Sequence, residues 1–254
     1  MKKSGEILFL RVPPRGLIRE TKDAGPRWQN RLSCVFASNG LRGRVGQRDI
    51  TCFWIGLSRG VRKPGLQLLE RIRAGIITEI IDIGCAGALD PSLRRGDLVL
   101  SSRDVAFDRV VPAAVQAGYR GAELHSLLLD VARNRGVSLH TAPILTHERF
   151  VGRREERIEL AEQTGCMAVQ MEHLWFLGLL QSLTSVDCIN NIRVTHLVLI
   201  TDAVPRSTGR MANARSAWNA LSGYALPGGS AGMMSLRREV LSRWVHLDPA
   251  GNIF

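Results

Sequence analysis

One stretch constrains this chain more than any other: Ile76 to Ser101, which reads IITEIIDIGCAGALDPSLRRGDLVLS. An isoleucine-rich run leads into a glycine turn at Gly84 to Gly87, and a second apolar run starts at Asp97. The unbroken apolar character of EIIDIG predicts a strand buried on both faces, as in a parallel or mixed sheet covered by helices. A strand that ends in Gly-Cys-Ala-Gly lets its backbone approach whatever lies above the sheet, because glycine has no Cβ in the way. Ligands of open α/β sheets bind beyond the carboxyl ends of the strands, so this turn is the first candidate site.

The rest of the chain supplies layers for such a sheet. Strands are predicted at Glu6–Val12, Leu32–Ser38 and Asp49–Leu57, with a glycine and arginine turn over Gly40–Gly46. Leu66, Leu69 and Ile72 recur near helical spacing, giving a helix over Pro64–Ala74 that stops at Gly75. After the central stretch come a strand at Asp97–Ser101, a loop over Arg103–Gly121, a helix over Glu123–Arg135 and a strand at Leu139–Leu145. A charged, mostly solvent-facing helix follows at Arg153–Thr164, then a short strand at Met167–Gln170 and an apolar helix over Glu172–Leu183. Thr195–Thr201 (THLVLIT) is the last strand. Pro205–Gly232 is an irregular loop, and Met233–Val245 is an amphipathic C-terminal helix. Alternating strands and helices imply a three-layer α/β/α sandwich around a central mixed sheet. No repeat or linker divides the 254 residues, so one domain is expected.

Composition narrows the class. No apolar run reaches the length of a membrane span. The N-terminal ILFL is interrupted by Arg11 and two prolines, unlike a signal peptide, so the protein reads as cytoplasmic. Five scattered cysteines and six dispersed histidines offer neither a disulfide framework nor metal-ligand spacing. The formal net charge of +11 rests almost entirely on arginine. These arginines are spread along the chain with no interleaved aromatic signature, which favours small anionic ligands over nucleic acid.

Three residues stand out singly. Glu172 lies in the apolar run AVQMEHLWFLGLL; it is either a helix-start glutamate favoured by the macrodipole or a buried carboxylate that needs partners. Asp202 ends the most hydrophobic strand, either as an Asx-turn residue or as a carboxylate presented at the sheet edge. Phe150 follows a strand in THERFVG, placed to stack on a ligand or simply to pack.

Taken in order, IGLSRGVRKPGLQLLERI, IIDIGCAGALDPSLRRGDLVLS, ILTHERFVG, CMAVQMEHLWFLGLL and HLVLITDAV resemble the successive motifs of the nucleoside phosphorylase family. That family includes purine nucleoside phosphorylases, methylthioadenosine/adenosylhomocysteine nucleosidases, futalosine hydrolases and hopanoid-associated phosphorylases. The resemblance runs from about Cys52 to Val204 and implies cleavage of a nucleoside N-glycosidic bond. It implies Asp202 as general acid for the departing base, Glu172 with Met171 at the ribose hydroxyls, and Phe150 stacked on the base. The backbone of Gly84, Cys85, Ala86 and Gly87 would then lie beside the ribose and the nucleophile. No cofactor is implied, beyond phosphate as co-substrate if the reaction is phosphorolytic. A homo-oligomer is expected on the same ground.

Two departures bear on the nucleophile. Phosphate-binding relatives carry an arginine two residues before the first glycine of that turn and a serine just after it; here these positions are Asp82 and Cys85. Hydrolytic relatives use a glutamate after the first strand, whereas LRVPPRGLIRE has no carboxylate until Glu20, only Arg11, Arg15 and Arg19. A carboxylate at position 82 repels phosphate, so hydrolysis is favoured over phosphorolysis. The alternative is a catalytically degenerate relative that binds a nucleoside without turning it over.

Overall fold

The computed structural model describes residues 6–10, 32–37, 40–45, 48–53, 70–107, 121–171 and 192–204, together with Leu236, Glu239 and Val240. The expected helix over Glu172–Leu183, the irregular stretch Pro205–Gly232 and most of the helix over Met233–Val245 lie outside the described residues, as do Arg11, Arg15 and Arg19.

The class is α/β with a central mixed sheet. Its strands are β1 (Glu6–Leu10), β2 (Leu32–Ala37), β3 (Gly40–Val45), β4 (Arg48–Phe53), β5 (Ile77–Ala88), β6 (Leu98–Ala106), β7 (Leu139–Thr146), β8 (Ala168–Gln170) and β9 (Arg193–Asp202). The helices are α1 (Gly121–Arg135), packed on β6 and β7, and α2 (Arg154–Thr164). Strand order is β2-β3-β4-β1-β5-β8-β7-β6-β9, and β9 pairs back onto β5. Five strands, β5, β8, β7, β6 and β9, thus close into a ring, which removes the exposed edges a sheet otherwise presents. β1 joins this ring to the remaining strands by pairing in parallel with both β4 and β5.

The interior of this ring is filled by alanines together with valines and isoleucines. Ala86 and Ala88 of β5 meet Val99 of β6, Ala142 and Ile144 of β7, Ala168 of β8, and Val198 and Ile200 of β9 in one buried cluster. The small residues at positions 84–88 serve this packing. Gly84–Gly87 is not a turn: β5 continues through it to Ala88, held by β9 along its length and by β8 at its end. The chain turns only over residues 89–96.

Other differences have similar causes. Gly40–Val45 is a strand, not a turn, because antiparallel partners on both sides (β2 and β4) override the weak strand preference of its glycine and arginine residues. β6 runs on to Ala106, past the expected end at Ser101, by absorbing a bulge between Ser101 and Asp104. α2 is mostly solvent-facing, as its charge predicts, but buries Arg157 and Leu160 on its inner side. The helix stops hold: Gly75, Gly136 and Gly165 all adopt φ of 64–66°, the left-handed cap that glycine accepts without Cβ strain.

One buried polar cluster interrupts the apolar interior. Asp104 Oδ1 accepts the Ser101 hydroxyl at 3.0 Å and lies 2.7 Å from His196 Nδ1. A carboxylate only accepts, so Nδ1 carries the hydrogen. The β6 bulge brings Ser101 and Asp104 close enough to share this role. Asp104→Ala leaves two buried donors without their acceptor and is expected to destabilise the fold by about 3–5 kcal/mol; Asp104→Asn, which keeps an acceptor, costs less. Midpoints of urea unfolding for the two variants check this.

Candidate active site

A cleft opens where β5, β8 and β9 end beneath α2. Cys85, Ala86 and Gly87 of β5, Gln170 and Met171 at the end of β8, Phe150 of the loop after β7, and Asp202 all line it. Most of the residues singled out from sequence therefore share one cavity. Gly84 sits within the same strand but is not part of the wall, and Glu172 lies outside the described residues.

The orientation of Asp202 depends on a register irregularity. In β9, Val198 and Ile200 point into the ring, and a regular strand would send Asp202 the same way, since side chains alternate with period two. Pairing with β5 instead slips by one residue: Ala86 faces Ile200, but Gly87 faces Asp202. Thr201 is the extra residue, and its hydroxyl reaches the Ala86 carbonyl at 3.4 Å. The bulge turns Asp202 away from the lumen and into the cleft.

Asp202 meets Arg157 there. The guanidinium is fully buried, and its Nη2 donates to Asp202 Oδ2. Its other donors reach main-chain carbonyls: Nε to Val151 at 2.9 Å, and Nη1 to Ala88 at 3.2 Å, Ala203 at 3.2 Å and Asp202 at 3.4 Å. The arginine lies directly over Gly87, where a Cβ would come within 3.3 Å of Nη2. Glycine eases this close approach, and no turn is involved.

The opposite wall is aromatic. Phe150 is 41% exposed, a large apolar face left open to the cleft. Its ring folds back over Gly152, where a Cβ would clash at 2.8 Å with Cε1. Arg149, next to it, pairs with Glu156 of α2. Adjacent residues of α2, Glu156 and Arg157, thus tie down both sides of the cleft. Gln170 is buried, and its amide donates to Thr146 Oγ1 at 3.1 Å, which fixes the amide plane at the wall.

Asp82 does not lie on the wall. It is buried within β5, opposite His196 of β9 and Leu10 of β1, so the phosphate-repelling role expected of it is not exercised from the cleft surface. Cys166, beneath the cleft, packs with Leu89, Leu145, Val151, Leu160 and Val169. Burial pushes its thiol above the ordinary value, so this thiol is a packing group and not a nucleophile.

Sequence reasoning missed Arg157, Arg149 and Gln170. Arg157 sits in REERIELAEQT, where a further arginine reads as solvated. The available signal was its spacing: Leu160 and Ala161, the apolar residues of that helix that pack inward, lie three and four positions on and share its face.

Residues 41–213 match the family model described as the phosphorylase superfamily. The chain is 24% identical over 191 residues to the DeoD-type purine nucleoside phosphorylase of Mycoplasma genitalium, covering 68% of this chain and 77% of that one. Among solved structures it is similar to futalosine hydrolase of Helicobacter pylori, with TM-score 0.62, 15% identity, and coverage of 94% of this chain and 99% of that one. It is also similar to a variant of the 5′-methylthioadenosine/S-adenosylhomocysteine nucleosidase of the same organism, holding 5′-methylthioadenosine in its active site (TM-score 0.63, 14% identity, coverage 94% and 99%).

If Phe150 supplies a stacking face, Phe150→Ala weakens binding of a planar heteroaromatic ligand by about 0.5–1.5 kcal/mol, roughly 2- to 12-fold in Kd. Gly152→Ala, which displaces the ring without removing it, should weaken binding in the same direction. Calorimetric titration with adenine measures both, and an unchanged Kd in Phe150→Ala removes the aromatic from the site.

Proposed function

The chain belongs to the phosphorylase superfamily, and from that premise we propose that it is an enzyme that cleaves the N-glycosidic bond of a purine-type nucleoside or nucleoside derivative. The observation that carries this reading is Asp202, a buried carboxylate turned by a strand bulge into a cleft that also holds an exposed aromatic ring.

The bond to be broken joins C1′ of the ribose to a ring nitrogen of the base. Its electron pair leaves with the base, while C1′ acquires oxocarbenium character. A proton supplied to the departing base neutralises the charge that develops there, and Asp202 is assigned that role. Phe150 holds the plane of the base, which fixes the direction in which the bond is stretched. Met171 and the main chain of Cys85, Ala86 and Gly87 form the ribose wall, and Glu172 is assigned to the ribose hydroxyls. Water or phosphate then adds at C1′.

Hydrolysis is the favoured route. Two arginines line the cleft among the described residues, and each is engaged by a carboxylate: Arg149 by Glu156, Arg157 by Asp202. A phosphate dianion seated on Arg157 would compete with Asp202, and one seated on Arg149 would share it with Glu156, whereas water needs no such cation. Relatives of both kinds exist by name, a phosphorylase and two nucleoside-cleaving hydrolases, so the family alone does not choose.

Base release from adenosine, inosine and 5′-methylthioadenosine, measured with and without phosphate, tests the proposal. Turnover in phosphate-free buffer is expected, and strict dependence on phosphate would overturn the hydrolytic route. Asp202→Asn keeps the shape and removes the donor; kcat should fall about 10²- to 10⁴-fold while KM changes little. Nucleoside binding with no release across the panel would identify a binding protein instead.

A further inference from the structure

We propose that Arg157 is a positioning residue that acts through Asp202, selecting which carboxylate oxygen serves the ligand. This inference rests on the function proposed above.

Arg157 Nη2 donates to Oδ2 of Asp202, so Oδ2 is committed as an acceptor. A proton shared between Asp202 and a departing base is then carried on Oδ1. The fork that enforces this is itself immobile. Nε is held by the Val151 carbonyl and Nη1 by carbonyls at the ends of β5 and β9, while Gly87 leaves space for the guanidinium plane. With the guanidinium anchored at the ends of two strands and at the loop after β7, the carboxylate cannot rotate about its own axis without breaking a buried ion pair. A lysine in this position keeps the charge but has no planar fork and reaches fewer of these acceptors.

The same helix fixes the other wall. Glu156, the neighbour of Arg157, holds Arg149 beside Phe150. The first turn of α2 therefore sets the proton-bearing oxygen and the stacking ring relative to each other, a geometry in which displacement by about 1 Å costs about 10²-fold in rate.

The experiment is a double-mutant cycle. Arg157→Met should lower kcat about 10²-fold with KM within about threefold, and Arg157→Lys should recover part of that loss. Because Arg157 acts through Asp202, the Arg157→Met/Asp202→Asn double variant should be no slower than Asp202→Asn alone. Additive losses in kcat, or a rise in KM matching the fall in kcat/KM, would reduce Arg157 to a structural strut and overturn the proposal. If Arg157→Met does not fold, the cycle is run with Arg157→Lys, judged on the same additivity. Should the parent release no base from any nucleoside, the proposed function fails separately, and the cycle is read on adenine affinity by calorimetry. There, non-additivity supports positioning and additivity rejects it.

Discussion

The buried pair of Arg157 and Asp202 is the interaction on which the site depends. Moving either charge out of water costs several kcal/mol, and mutual attraction offsets this only when the remaining donors are also satisfied. Arg157 meets that condition by spreading its other donors over the carbonyls of Val151, Ala88, Asp202 and Ala203. Those carbonyls are available because two strands and a loop end together beneath α2. The pair thus requires the strand ends to converge, and it fixes them once they do. Gly87 assists it, because a Cβ at that position would come within 3.3 Å of the guanidinium. A sequence feature that suggests a flexible turn is in fact a strand of small residues lying against an arginine.

Much of this was legible in the residues, and what was not has definite physical causes. The Ile76–Ser101 stretch announces a doubly buried strand because nothing but burial favours so unbroken an isoleucine run. The helix ends at Gly75, Gly136 and Gly165 follow from local backbone sterics, which a sequence records directly. β3 escaped because its glycine and arginine residues have little intrinsic strand preference; its conformation is imposed by β2 and β4. The closure of five strands into a ring is a long-range pairing, β9 back onto β5, with no local signature. Asp202 was identified by its place at the end of an apolar strand, but its direction was not, because period-two alternation sends it into the lumen. Only the slip between Ala86 and Gly87 reverses it. Arg157 was hidden by company: its helix carries enough exposed charge that one more arginine carries no information.

Two of the buried carboxylates of the ring strands illustrate how position decides role. Asp104 and Asp202 both sit in a mostly apolar sheet near a bulge, yet they face opposite ways. The bulge in β6 gathers Ser101, Asp104 and His196 into a closed polar cluster. The bulge in β9 instead carries its carboxylate to a cleft wall. The first arrangement engages Asp104 Oδ1 internally and serves specificity of packing. The second leaves the carboxylate at a boundary between protein and ligand.

That boundary bears on the nucleophile. Sequence placed the burden of excluding phosphate on Asp82, but Asp82 lies within β5 facing its strand neighbours, away from the cleft wall. Its charge acts on the cleft only through protein, whereas Arg149 and Arg157 line it directly. The electrostatic preference of the site therefore turns on how those two cations are already used. Each is matched to a carboxylate drawn from the same framework that shapes the cleft, Glu156 on α2 and Asp202 on β9. Arg157 is fully buried in its pair, whereas Arg149 is mostly exposed and meets Glu156 through Nη2. The use of those two cations, more than the single carboxylate at position 82, sets the electrostatics of this cleft among the described residues.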